Sequence, residues 1–109
     1  MPGALELAVA VADLFETGCE AVVAVGAVIK GETDHYEYVA SEAVRGLGEV
    51  ARRYRRPVGN AVLTVQDYQH AVDRSLPGPA NKGAEAALAA VTTSRALTGL
   101  AGIEPARPN

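Results

Sequence analysis

The chain has 109 residues, with 10 basic against 13 acidic side chains and a net charge of −3, so it is at most one domain and not a general nucleic-acid binder. Nearly half of it is apolar (49%), which predicts a packed core, and a lone cysteine, Cys19, excludes an intrachain disulfide and a cysteine-based metal cluster. Much of the apolar content is alanine and valine, which suits close helix–sheet packing and a surface completed by a neighbour.

Residues 5–17 have helical composition and all-round apolarity, with Gly18 as the C-terminal stop. Residues 21–29 form a continuous valine-rich run, predicting a strand buried on both faces in a parallel sheet. That run is too short to span a bilayer. No charged segment followed by a long apolar run opens the sequence, so no signal peptide is read, and one cysteine fits a reducing cytoplasm. Asp34 and Glu37 form a capping box. Behind it, Tyr36, Val39, Ala40, Ala43, Val44, Leu47, Val50, Ala51 and Tyr54 recur at three- and four-residue steps, the clearest amphipathic helix of the chain. Pro57 ends it, and the basic run Arg52-Arg53-Tyr54-Arg55-Arg56 reads as a solvated helix end complementing the helix dipole. Residues 58–65 predict a second strand. Asp67 caps a short helix through Arg74, and residues 75–80 form a loop. Residues 82–100 predict an alanine-rich helix closing the domain at 1–100, and 101–109 form a tail frayed from Gly102 on. Strands alternating with helices imply a parallel α/β sheet, and because a two-stranded sheet is marginal alone, further strands or a second chain are expected to complete it.

The chemistry concentrates in a few places. In Gly26-Ala27-Val28-Ile29-Lys30-Gly31-Glu32-Thr33-Asp34-His35-Tyr36 an apolar strand runs into a glycine turn and then a helix start. Such a turn offers backbone N–H groups to an anion, and His35 stands beside it as a group able to take and return a proton. Taken alone, His35 is more often a partly exposed helix-start histidine than a catalytic group. Arg74 can clamp a phosphate through its guanidinium, or be a helix-end cation paired with Asp73 or Asp67. Lys82, in Asn81-Lys82-Gly83, opposes the helix dipole, which a bound anion would explain. His70 reads as a surface residue.

Gly31-Glu32-Thr33-Asp34-His35, Gln69-His70-Ala71-Val72-Asp73-Arg74, Asn81-Lys82-Gly83-Ala84-Glu85-Ala86-Ala87 and Gly3-Ala4-Leu5-Glu6 together resemble the lumazine synthase family, from Pro2 to about Leu97. The resemblance implies a flavodoxin-like three-layer α/β/α sandwich lacking its first βαβ portion. It implies condensation of 5-amino-6-ribitylaminouracil with 3,4-dihydroxy-2-butanone 4-phosphate to 6,7-dimethyl-8-ribityllumazine, without metal or redox cofactor. His35 is then the proton-transfer residue. Ala4, Leu5 and Glu6 contact the ribityl chain, with Leu5 replacing the commoner Phe. Ala27, Val28 and Ile29 line the heterocycle through their backbone. Glu32, through its backbone, and Thr33 meet the phosphate with Arg74 and Lys82, and Asn60 stands where many members carry a ring-contacting Phe. His70 falls where the family usually has glutamine.

Members of this family form homo-pentamers, sometimes larger shells, with each site spanning two subunits. The resemblance implies that Glu6, Ala27–Ile29, Thr33 and His35 come from one chain, and Asn60, Arg74 and Lys82 from its neighbour. The family's first strand, first helix and second strand have no counterpart in this sequence. Met1-Pro2-Gly3-Ala4 stands where the family reads Val-Pro-Gly-Ala, so a valine codon taken as a start is one expected origin of this beginning. The alternative function is a non-catalytic assembly module that kept the oligomer-forming helices. A nucleic-acid binder acting through residues 52–56 is disfavoured by negative charge and few aromatic residues.

Overall fold

The computed structural model describes residues 3–31 and 35–102. A single 3-10 turn, Ala4–Glu6, leads into α1 (Leu7–Glu16). Then follow β1 (Val22–Ile29), α2 (His35–Tyr54), β2 (Val58–Val65), α3 (Tyr68–Ser75) and α4 (Lys82–Ala101). β1 and β2 pair in parallel, Val22 opposite Val58 through Ile29 opposite Val65. Helices lie on both faces, as the flavodoxin-like α/β/α arrangement requires, and the described residues hold two strands.

One face of the sheet carries α1 and α2. Leu7, Val11 and Phe15 of α1 meet Val22 and Ala24 of β1 and Leu47 of α2, all buried. Each such large side chain contributes roughly 1.5–3 kcal/mol by leaving water. Phe15 also packs against Tyr54 at 5.5 Å between ring centroids, tilted by 45°. The other face is set by Gly59. A Cβ built there falls 2.3 Å from the backbone oxygen of Ala86, so α4 seats directly on β2 through its buried Ala86 and Ala90. Only glycine permits this approach.

The connections from α1 to β1 and from α2 to β2 use one device. The Cys19 N–H bonds to Leu14 O across Gly18 at φ 106, and the Arg56 N–H bonds to Ala51 O across Arg55 at φ 54. Each is a 6→1 cap with its central residue left-handed. Gly18 takes that conformation at little cost, but Arg55 carries a Cβ into it. So α2 stops at Tyr54, three residues before Pro57, through this cap. The basic run is also less uniform than a solvated helix end. Arg56 turns inward, donating from Nη1 to Phe15 O at 3.0 Å and to Cys19 O at 2.7 Å, and its guanidinium lies over the Phe15 ring.

Several boundaries differ slightly from the sequence reading. The first helix begins as the 3-10 turn rather than as α-helix from residue 5, and ends at Glu16. β1 starts at Val22, one residue later than expected, while β2 has the expected bounds. Ser75 belongs to α3, and α4 runs to Ala101, inside the segment expected to be tail. Asp67 caps α3 as expected, accepting from the Gln69 N–H at 2.9 Å. The expected cap residue Asp34, the turn residues Glu32 and Thr33, and residues 103–109 lie outside the described residues. Among the described residues, no helix is long and apolar enough to cross a membrane.

Candidate functional site

The strand ladder decides which backbone groups are free to meet a ligand. Val22 N–H bonds to Pro57 O and Lys30 N–H to Val65 O. With the parallel register between them, the even-numbered residues of β1 direct their N–H and C=O toward β2. The odd-numbered residues, Val25, Ala27 and Ile29 among them, direct theirs to the opposite edge. In β2 the phase reverses: Gly59, Ala61 and Leu63 bond toward β1, while Asn60, Val62 and Thr64 face the far edge. Asn60 occupies that far edge itself, its Oδ1 accepting the Val62 N–H at 2.9 Å.

A cavity of about 340 Å³ opens along the outer edge of β1, near its C-terminal end. Ala27, Val28 and Ile29 form one wall, and Gly3 and Ala4 another. Gly31 and His35 close the end where the strand hands over to α2, and Tyr36 and Val39 follow from the first turns of that helix. No residue of β2 lines it. His35 sits here because α2 begins at His35, six residues after β1 ends at Ile29. Five of the residues singled out in the sequence thus share one space: Ala4, Ala27, Val28, Ile29 and His35. Leu5 and Glu6, on the same 3-10 turn, are not among its lining residues, and Leu5 is 48% exposed. Tyr36 escaped attention as a site residue because its spacing placed it on the core face of the helix. Its ring meets the Lys30 ammonium at 5.9 Å, which sets a cation near the rim.

The second group of candidates lies on β2. A cavity of about 270 Å³ is lined by Asn60 and the strand residues that follow it, with Arg74, Lys82 and Glu85 across from them. No residue of β1 lines it. A further cavity of about 450 Å³ adjoins it through Arg74 and Lys82, and adds His70, Asp73 and Ala80. Arg74 pairs with neither carboxylate proposed for it. Its Nη1 donates to His70 O at 3.0 Å, Asp73 accepts from Gln69 Nε2, and Asp67 serves as the α3 cap.

Asn81 joins α3 to α4. Its Nδ2 donates to Ser75 O and Leu76 O, and its Oδ1 accepts the Ala84 N–H as N-cap of α4. Its side chain is therefore committed to the fold and not open to a phosphate, while it holds Lys82 against the end of α3. Lys82 Nζ lies 3.1 Å from Glu85 Oε2, an ion pair whose side chains are 43% and 67% exposed. This pair offsets the lysine's unfavourable place at a helix start. Such an exposed pair is worth about 0–1 kcal/mol, little enough for an arriving anion to displace it.

Residues 1–98 match the family model described as 6,7-dimethyl-8-ribityllumazine synthase. A 6,7-dimethyl-8-ribityllumazine synthase of Leifsonia xyli subsp. xyli is 48% identical over 104 residues, covering 94% of this chain and 66% of the relative. The enzyme so named from Clavibacter michiganensis subsp. michiganensis is 43% identical, covering 94% and 65%. That from Methylobacterium radiotolerans is 45% identical, covering 91% and 63%. The chain thus spans just under two thirds of the length of these curated relatives.

Proposed function

Since the chain belongs to the 6,7-dimethyl-8-ribityllumazine synthase family, we propose that it condenses 5-amino-6-ribitylaminouracil with 3,4-dihydroxy-2-butanone 4-phosphate in riboflavin biosynthesis. The reaction releases phosphate and water, so it asks for two reactants held together, a proton carrier and a holder for the leaving anion. His35 carries protons. The outward backbone groups of Ala27 and Ile29 hold the pyrimidine edge, and Ala4, Leu5 and Glu6 accompany its ribityl chain. Gly31, with Glu32 and Thr33, offers the turn to the phosphate. Arg74 and Lys82 supply its cations, and Asn60 stands beside the ring.

One observation carries this reading: the two groups of residues open on opposite edges of a two-stranded sheet. A ligand that meets both His35 and Arg74 draws them from different copies of the chain, as in a ring of identical subunits. Exposed apolar side chains on the helices, Leu88 (68%) and Val91 (47%) of α4 and Val9 (74%) of α1, are consistent with such a partner.

Complementation between two impaired variants tests it, at butanone phosphate concentrations far below the KM of Arg74→Ala. His35→Ala and Arg74→Ala chains are prepared separately, then co-refolded in equal amounts, and lumazine formation is followed by absorbance. Shared sites restore about a quarter of the wild-type rate, because that fraction pairs an intact His35 with an intact Arg74 from the neighbour. No recovery, with active wild-type protein, means that both residues act within one chain. An assembled wild-type protein that forms no product leaves the assembly-module reading in its place. Arg74→Ala alone should raise KM for the butanone phosphate far more than for the pyrimidine, by the equivalent of roughly 1.5–3 kcal/mol. Equal effects on both substrates make Arg74 structural.

A further inference from the structure

His70 was set aside by sequence as a surface residue, and it is exposed. It nevertheless lines the 450 Å³ cavity that it shares with Arg74 and Lys82. The arrangement is built by the backbone. His70 and Arg74 stand four apart on one face of α3, and the Arg74 guanidinium is held by the carbonyl of His70 itself. Lys82 is brought to the same space by Asn81, which ties the end of α3 to the start of α4. We propose that His70 is a third anion-holding side chain, which in its protonated form joins Arg74 and Lys82 in gripping the phosphate of the phosphorylated substrate. The proposal rests on Arg74 and Lys82 being that phosphate's cations.

The charges around His70 come from two helices. On α3 these are Asp73, whose Oδ1 accepts from Gln69, and Arg74; on α4 they are Lys82 and its partner Glu85. Imidazole changes charge between about pH 5 and 8, so anion binding should tighten as pH falls through that range.

Sulfate is the probe, because its own charge is constant there while that of phosphate is not. Its binding to the 109-residue protein is measured by amide NMR titration at pH 6 and pH 8 at fixed ionic strength. Wild-type affinity should rise about fivefold at the lower pH, the effect of one added charge a few ångströms away in a solvated site. His70→Gln should abolish the rise and keep the pH 8 affinity. Arg74→Ala should weaken binding at both pH values. An unchanged rise in His70→Gln overturns the role of His70 while an Arg74→Ala loss preserves the reading beneath it. Sulfate binding indifferent to Arg74→Ala, or no binding at either pH, overturns both.

Discussion

Replacing Gly59 by alanine puts one methyl group where α4 rests on β2. The added carbon falls 2.3 Å from Ala86 O, 2.9 Å from its carbonyl carbon and 3.3 Å from Ala90 Cβ. The first two are backbone atoms, so no rotamer change relieves the contact. To reach even a tight separation, α4 must retreat by about 0.7 Å, the size of gap that forfeits a quarter to a half of the dispersion energy across a contact. Overpacking of this kind costs about 1–3 kcal/mol, which lowers the melting temperature of a domain this size by about 5–20 °C. The displaced helix carries Lys82, so sulfate affinity should fall as well. Gly99→Ala is the control: apart from the adjoining helix backbone, no atom lies within 4 Å of a Cβ there, and the helical position predicts a gain of up to about 1 kcal/mol. The assays are urea unfolding followed by circular dichroism, and sulfate titration. A Gly59→Ala protein with an unchanged midpoint would refute the claim that helix–sheet contact at Gly59 sets the position of α4.

Arg55→Gly should raise the unfolding midpoint by the equivalent of about 1 kcal/mol, since Arg55 is the non-glycine residue in a left-handed cap; a lower midpoint would mean that its side chain contributes more than the strain costs. The Tyr54 hydroxyl donates to Glu16 Oε1 at 2.5 Å, and that bond, chiefly, raises its pKa above the ordinary value of 10.0. A folded pKa raised in this way means stability fully present below about pH 10 and lost as pH climbs through the folded value. Glu16→Gln should move the alkaline limb of the tyrosinate absorbance curve to lower pH, and no movement would contradict the bond. His35→Ala should lower turnover about 10²-fold with little change in KM, as loss of a proton carrier requires; an unchanged turnover number would remove His35 from the chemistry.

Most of the fold was legible because the relevant signals are local. Branched apolar runs marked both strands, three- and four-residue spacing marked α2, and Asp67 announced α3. What escaped depends on residues distant in sequence. Gly59 looked like an ordinary strand glycine until Ala86 was seen against it. Arg56 belonged to a basic run, and nothing nearby in sequence revealed that it holds the carbonyls that end α1. Asn81 carries the signal of an N-cap, an asparagine directly before a helix, in the same Asn81-Lys82-Gly83 triplet whose lysine suggests an anion site. His70 had its own signal in the four-residue spacing to Arg74, which puts both on one helical face.

The separation of the candidate site into two parts follows from the phase of a single ladder. Once Val22 bonds to Pro57 and Lys30 to Val65, the backbone groups of Ala27 and Ile29 must face away from β2, and those of Asn60 and Thr64 away from β1. A slip of one residue in register would reverse this, but it would also drive Val22 and Ala24 out of the core with Phe15 and Leu47. The core therefore selects the register, and the register directs the two groups of candidate residues outward in opposite directions. His35 is tied to one edge through β1, while Arg74 and Lys82 are tied to the other through Asn81 and the seating of α4 on Gly59. Bringing them together inside one chain would require breaking the packing that positions each. Any chemistry using both groups is thus coupled to association, and complementation between His35 and Arg74 variants measures that coupling directly.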